Sequence, residues 1–139
     1  MKTATIRDRE RPVERFLAAW NAGATRARQA HLHAACGARV VFLDARATVH
    51  GRLALDAYIA ACRREQPAAR WWVTEVAVDA DGRFRCIWIL TDAASRCVVR
   101  GSAVGMLDAT GRIAEFVSVI DRIEPWSDIA QALGAATGV

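Results

Sequence analysis

The chain has 139 residues, of which 53% are apolar and 24% charged, so it is long enough for one hydrophobic core and too apolar to be disordered. Its formal charge of +4 comes from arginines scattered along the chain with acidic residues close by, whereas nucleic-acid-binding proteins concentrate basic residues on one face. We therefore expect a single domain over residues 1–139, with its core over about 9–124, and no nucleic-acid partner.

The cysteine positions and the hydropathy of the sequence predict the cellular compartment of the protein. The four cysteines, Cys36, Cys62, Cys86 and Cys97, show no C-x-x-C spacing and lie in apolar segments, which is typical of small core residues in a reducing environment. Cys86 and Cys97 could also lie opposite one another across a strand pair. Residues 1–10 contain no apolar run typical of a secretion signal, and no segment is long enough to span a membrane. The sequence therefore predicts a cytoplasmic protein without membrane contact.

The first half of the chain is predicted to be mainly helical. Apolar residues recur at helical spacing from Val13 to Trp20, with Pro12 in the first turn, where proline is tolerated. The predicted elements are helices over about 9–21, 25–36 and 53–65, a strand over 40–43, and a connection over 45–51. This strand ends at Asp44, and Gly37 is expected to close the second helix.

The second half is predicted to contain four antiparallel strands. Strands over 71–78 and 83–91 are followed by a long hairpin over 95–124. The similar segments 79–83 and 108–112 each place an Asp first and a Gly fourth, which is typical of turns. A last short helix is predicted over 128–133. Helices followed by a meander predict an α+β domain, with a curved sheet wrapped around helices on one side.

Small residues alternate along one strand of the hairpin. Gly101, Ala103 and Gly105 recur at period two, so one strand face lacks bulk. One interpretation is a bent strand packed closely beneath a helix, and the other is a space left for a ligand. On the opposite face Val98, Val104, Val117 and Val119 are apolar, which favours a homodimer through the outer face of the sheet.

The sequence resembles the nuclear transport factor 2-like (NTF2-like) superfamily, and within it the SnoaL-like polyketide cyclases and the ketosteroid isomerases. The resemblance covers Val13 to Glu124. It rests on three segments: residues 15–23 in the first helix, the strand 40–44 with His50-Gly51-Arg52, and the turn 108–113 with the long final strand. It implies a cone-like fold in which three helices pack on a curved antiparallel or mixed sheet.

The resemblance also implies a conical apolar pocket between the helices and the sheet. Ketosteroid isomerases place a carboxylate base after the first strand, where this chain has Asp44. Their phenol and protonated acid, which together bind the enolate oxygen, fall on Phe16 and Ala103 here. Since each such donor contributes about 2.7–4 kcal/mol, steroid isomerisation by that mechanism is not expected.

Four residues are candidates for catalysis. Asp44, beside an apolar pocket, is the first candidate for a general base, and its alternative role is to form a turn through the backbone of Arg46 or Ala47. Tyr58 could replace the missing phenol, and its alternative role is that of a core residue. His50 could titrate near neutral pH, and its alternative role is structural. Asp121 is a second candidate acid, although the alternation of its strand points it outward.

Further residues are expected to line the pocket. They are Phe16, Trp20, Phe42, Tyr58, Trp88, Gly101, Ala103, Gly105, Phe116, Ser118 and Ile120, for each of which ordinary core packing is the alternative. His31 and His33 lie on different faces of a helix, so no metal site is expected.

Two functions are compatible with these observations. The first is a cofactor-free isomerase-like or cyclase-like enzyme that acts on a hydrophobic, carbonyl-bearing small molecule with Asp44 as base. The second is a non-catalytic module for small-molecule binding or dimerisation, in which Asp44 caps backbone and side chains such as Trp88 and Phe116 fill the cavity.

Overall fold

The computed structural model describes residues 6–127. Three helices pack with one six-stranded sheet, which confirms the α+β class. The helices are α1 (Ile6–Asn21), α2 (Thr25–Ala35) and α3 (Arg52–Glu65), and the strands are β1 (Cys36–Leu43), β2 (Thr48–His50), β3 (Arg70–Val78), β4 (Arg83–Thr91), β5 (Cys97–Leu107) and β6 (Ile113–Ile123). No helix in this part of the chain is long and apolar enough to cross a membrane. The helix predicted over 128–133 lies outside the described residues.

The sheet is mixed and has the strand order β2-β1-β6-β5-β4-β3. The predicted antiparallel meander of the last four strands, β3 to β6, is confirmed. Strand β1 pairs in parallel with β6, the last strand of this meander. Leu43, the last residue of β1, lies opposite Val117 of β6. This pairing brings the turn that contains Asp44 beside the second half of β6.

The structure differs from the sequence-based prediction around β1. This strand begins at Cys36 rather than at Val40, so Gly37 lies within the strand and does not close a helix. Residues 48–50, predicted as part of a connection, form β2, in which Thr48 pairs with Leu43 and His50 with Val41. A three-residue strand is too short to produce a periodic pattern, and its pairing with β1 determines its conformation.

The core lies between the helices and the sheet face that they cover. The inward residues of β4, Phe84, Cys86, Trp88 and Leu90, are all buried. On the helical side, Phe16 of α1 packs against Phe116 of β6 with ring centroids 4.6 Å apart. Register shifts interrupt three of the antiparallel pairings, and such irregularities bend a sheet.

Both predicted Asp-Gly turns are present. Asp79 Oδ1 accepts hydrogen bonds from the backbone N–H groups of Asp81 and Arg83, at 2.8 and 3.0 Å. Asp108 Oδ1 accepts in the same way from Thr110 and Arg112. Gly82 and Gly111 have φ of 87° and 83°, a conformation that favours glycine. These turns fix the lengths of the two hairpins.

Two predictions about the sheet surface are wrong. Val98, expected on the outer face, is fully buried. It is the extra residue at a register shift between β4 and β5, where Leu90 pairs with Val99 and Thr91 with Cys97, and such a shift interrupts the alternation of a strand. Cys97 is exposed rather than in the core, and all four cysteines are free thiols. Cys86 lies opposite Ala103 and Cys97 opposite Thr91, so Cys86 and Cys97 do not face each other.

An ion pair joins α2 to α3. Arg28 of α2 is 8% exposed, and its Nε donates to Asp56 Oδ1 of α3 at 2.5 Å. Gln29 donates to the other carboxylate oxygen at 3.2 Å. Burial by itself would raise the pKa of Asp56, but the hydrogen bonds from Arg28 and Gln29 outweigh it and hold that pKa below its ordinary value.

Candidate functional site

A cavity of about 80 Å³ lies between α1 and the inner face of the sheet. Its lining residues are Phe16, Leu17, Trp20, Phe42, Asp44, Ala45, Arg46, Trp71, Trp88, Leu90, Val99, Phe116, Ser118 and Ile120. An apolar cavity of about 150 Å³ can hold benzene, whereas one water occupies about 30 Å³ in the liquid. The cavity therefore has room for a few waters, and an organic ligand requires its walls to move.

Six of the fourteen residues that line the cavity are aromatic. Trp20 is central, with its ring centroid 5.6 Å from Phe42, 5.2 Å from Trp71 and 6.2 Å from Tyr58. Such spacings are those of attractive ring pairs. Of the eleven residues predicted to line a pocket, seven are in the lining: Phe16, Trp20, Phe42, Trp88, Phe116, Ser118 and Ile120.

Of the two interpretations of the small residues of β5, close packing agrees with the structure and space for a ligand does not. A Cβ built on Gly101 would lie 2.1 Å from Trp88 Cζ2, and one built on Gly105 would lie 2.3 Å from Phe84 Cζ. The indole and the phenyl ring therefore occupy the space above these glycines. Ala103 between them is 2% exposed and is absent from the cavity lining.

Asp44 forms a turn and also lines the cavity. Its Oδ1 accepts from the backbone N–H groups of Arg46 and Ala47, at 2.8 and 2.9 Å, which is the turn-forming role. The same carboxylate lines the cavity and is partly buried. The other oxygen, Oδ2, accepts a hydrogen bond of 2.5 Å from the Tyr58 hydroxyl. Three donors thus fix the carboxylate in the cavity wall.

Tyr58 reaches the site from α3. Its ring is partly buried and lies 5.8 Å from the ring of Phe42. Burial, the hydrogen bond to Asp44 and the negative charge of Asp44 all raise the pKa of Tyr58 far above its ordinary value. The phenol is therefore neutral and donates to Asp44. Tyr58 is absent from the cavity lining, and it contacts a lining residue through its hydrogen bond to Asp44.

Arg46 is a polar lining residue that the sequence analysis did not identify as part of the site. Its guanidinium donates to Cys62 Sγ at 3.0 Å and to Glu65 Oε2 at 3.3 Å, and its Cζ lies 5.8 Å from the centroid of the Tyr58 ring. Burial raises the pKa of Cys62 despite the opposing charge of Arg46, so this partner is a neutral thiol. Arg46 occupies an irregular turn, where periodicity gives no information on side-chain direction.

Two candidates for catalysis lie away from the cavity. His50 is exposed, because its neighbour Val49 in the short strand β2 points into the core. Asp121 is exposed on β6, where Ser118 and Ile120 point inward and Asp121 falls at the register shift opposite Arg100 and Gly101. Neither residue lines the cavity. In the part of the chain that the structure describes, no His, Cys, Asp or Glu residues form a group suited to a metal ion.

Comparisons with known proteins give the fold. No family model and no curated protein matches the sequence. A SnoaL-like protein from Agrobacterium tumefaciens with the provisional name of isomerase is similar in structure, with a TM-score of 0.75 and 24% identity, over 81% of this chain and 96% of that one. An NTF2-like protein of unknown function from Cytophaga hutchinsonii matches with a TM-score of 0.59 and 16% identity, over 87% and 95%. The chain has the NTF2-like fold.

A further structural match covers the whole chain. A protein from Jannaschia sp. CCS1, provisionally named a SnoaL-like polyketide cyclase, has a TM-score of 0.69 and 15% identity, over 100% of this chain and 99% of that one. At such identities the likeness establishes the fold alone, and a fold of this kind supports several functions. The function of this chain is therefore inferred from its site.

Proposed function

We propose that the chain is a cofactor-free enzyme of the isomerase or cyclase type, which moves a proton on a hydrophobic, carbonyl-bearing small molecule with Asp44 as the base. The observation that carries the proposal is the position of Asp44, the one carboxylate among the residues that line the largely apolar cavity. The provisional isomerase and cyclase names of two similar structures support the same reaction class.

In the proposed reaction, Asp44 takes a proton from a carbon next to the carbonyl group. The C–H bond breaks, its electron pair forms the enolate, and the carboxylate becomes a carboxylic acid. In an isomerisation, Asp44 returns the proton to another carbon. In an aldol-type cyclisation, the enolate carbon attacks a second carbonyl group of the same molecule, and the proton passes to the new alkoxide. Neither route requires a redox cofactor.

The contacts of Asp44 suit this role. Hydrogen bonds from two backbone N–H groups and from the Tyr58 hydroxyl hold the carboxylate in one orientation. This lowers the entropic cost of aligning the carboxylate with a C–H bond. A carboxylate has about four lone-pair sites, so three hydrogen bonds leave it able to accept a proton. Tyr58 is a positioning residue in this scheme, since it holds Oδ2.

An assay that does not require the natural substrate tests the proposal. Small hydrophobic ketones are incubated with the protein in D₂O, and NMR follows deuterium uptake next to the carbonyl. We expect catalysed exchange that falls by about 10²–10⁴ in Asp44→Asn, the contribution typical of a general base. Asp121→Asn removes an equal charge from the outer face and should exchange at the rate of the unchanged protein. Equal rates in Asp44→Asn and the unchanged protein would exclude Asp44 as the base.

A second candidate function is binding without chemistry. The turn-forming bonds of Asp44 favour it, because they are expected if this carboxylate only holds the turn in the cavity wall. In that case no ketone in the panel shows exchange above the uncatalysed rate, while ligands still alter the fluorescence of Trp20, Trp71 and Trp88. The exchange assay thus separates the two candidates.

We also propose that a second copy of the chain covers the outer face of the sheet. Val104 is 56% exposed and Val119 51%, and Val104 lies directly opposite Val117 on the adjacent strand. Trp72, 52% exposed, belongs to the same face on β3. Exposed apolar side chains on one sheet face favour a two-fold symmetric interface, in which each copy buries the same residues.

A further inference from the structure

Asp44 by itself leaves the proposed reaction incomplete, because the enolate oxygen also requires a donor. The positions where ketosteroid isomerases have their donors are occupied by Phe16 and Ala103, which are apolar and 1% and 2% exposed. Tyr58 is already committed to Asp44. Of the polar side chains in the cavity lining, Arg46 is the one that carries a positive charge.

We infer that Arg46 binds the carbonyl oxygen of the ligand and stabilises the negative charge on it, in place of the two missing donors. This inference rests on the proposed function and identifies the group that polarises the substrate. A guanidinium has five N–H donors, and the contacts with Cys62 and Glu65 use two of them. Within residues 6–127, the other three N–H groups have no protein acceptor.

The surroundings of Arg46 fit a role in ligand binding better than a role in stability. Its ion-pair partner Glu65 has a side chain that is 60% exposed, and exposed pairs contribute little. The Cys62 thiol is a weak acceptor. The guanidinium is thus held in place by weak partners beside a cavity, where a ligand oxygen would be its strongest acceptor, since hydrogen bonds that involve a charged group are roughly twice as strong as neutral ones.

The charge of the neighbouring Asp44 determines how strongly Arg46 attracts an anion. While Asp44 is ionised, its charge opposes an anion at Arg46 and favours a neutral carbonyl compound. Once Asp44 has taken the proton, that opposition is gone, and the enolate oxygen interacts with a guanidinium whose ion-pair partner is the largely exposed Glu65. The attraction to Arg46 is therefore greatest after proton transfer, which is the difference that accelerates a reaction.

Asp44→Asn mimics the state in which Asp44 carries the proton, so it is the background for the test. The probes are 4-nitrophenolate, used above its own pKa, whose anionic oxygen resembles an enolate, and 4-nitrotoluene, which is neutral and of similar shape. Affinities for both are measured by calorimetry. We expect the additional change Arg46→Gln to weaken binding of the anion by about tenfold or more, and binding of 4-nitrotoluene by less than about threefold.

Two matched variants separate local from general effects. Arg64→Gln removes the same charge from an exposed position of α3 and should leave both affinities unchanged, and Arg46→Lys keeps a charge and should retain part of the preference for the anion. Circular dichroism verifies folding, and if Arg46→Gln does not fold, the lysine variant must still bind the anion more weakly than the parent. An unchanged preference in the Arg46 variants, an equal loss in Arg64→Gln, or no saturable binding of 4-nitrophenolate would overturn the inference. No turnover is measured, so failure here is distinct from failure of the exchange assay.

Discussion

The Tyr58 hydroxyl of α3 donates to Asp44 Oδ2 in the turn after β1, at 2.5 Å. This bond joins the third helix to the turn after the first strand, beside the cavity that Asp44 lines. The phenol therefore reports on the charge of the carboxylate that we propose as the base.

Tyr58 is the only tyrosine in the chain, so its ionisation can be measured without interference from other phenols. Burial and the contact with Asp44 raise its pKa. Asp44→Asn removes the negative charge and weakens the acceptor, so we expect the pKa of Tyr58 to fall toward the ordinary value of about 10 while burial keeps it above that value. The tyrosinate difference absorbance measures the titration. Identical titrations of the two proteins would show that the bond does not form in solution.

Gly101 is predicted to be intolerant of a side chain. A Cβ there would lie 2.1 Å from the Trp88 ring and 2.6 Å from the backbone oxygen of Val119. Because backbone cannot yield as a flexible side chain does, we expect Gly101→Ala to lower the free energy of unfolding by about 1–3 kcal/mol. Urea denaturation measures the change. Gly23→Ala is the control, since a Cβ at Gly23 has no neighbour within 4 Å, and a loss of similar size there would contradict the packing argument.

The buried ion pair between Arg28 and Asp56 is predicted to affect stability. Asp56→Ala leaves the Arg28 charge buried without its partner, so we expect a loss of about 3 kcal/mol at neutral pH. Arg122→Gln breaks an exposed pair with Glu124 and should cost less than about 1 kcal/mol. Equal urea midpoints for the two variants would show that burial does not strengthen the pair.

The same pair predicts a pH dependence. The pKa of Asp56 is lower in the folded chain than in the unfolded chain, so its contribution is fully present above the unfolded value of about 3.9 and is lost as the pH falls through the folded value. The difference in stability between the unchanged protein and Asp56→Ala should therefore shrink below about pH 4. Urea midpoints at neutral pH and near pH 3 measure this, and a constant difference would rule out titration of Asp56 as the cause.

The outer sheet face gives a prediction on assembly. Val104→Asp places a charge in the middle of the proposed interface, directly opposite Val117, so we expect a dimer of the unchanged chain to become a monomer. Light scattering coupled to gel filtration measures the mass against 15.2 kDa for one chain. Leu53→Asp adds the same charge at an 84% exposed position of α3, away from the sheet, and should leave the mass unchanged. A monomeric unchanged chain would end the dimer proposal.

Sequence reasoning was most successful where one local signal determines the structure. The Asp-Gly turns and the alternation of β4 required only neighbouring residues, and the position of Asp44 followed from the apolar strand before it. The direction of the Arg46 side chain depends on the path of an irregular turn and on contacts with Cys62 and Glu65 of α3. The filled space above Gly101 depends on the rotamer of Trp88 one strand away. Neither of these has a signal along the chain.

The parallel pairing of β1 with β6 constrains how the protein is made. Residues 36–43 emerge from the ribosome about seventy residues before residues 113–123, so during synthesis one side of β1 has no partner. Contacts between such distant segments slow folding, because a long loop must close first. A chain that stops before residue 113 therefore cannot complete the sheet, and the turn at Asp44 acquires its final surroundings only when synthesis is nearly finished.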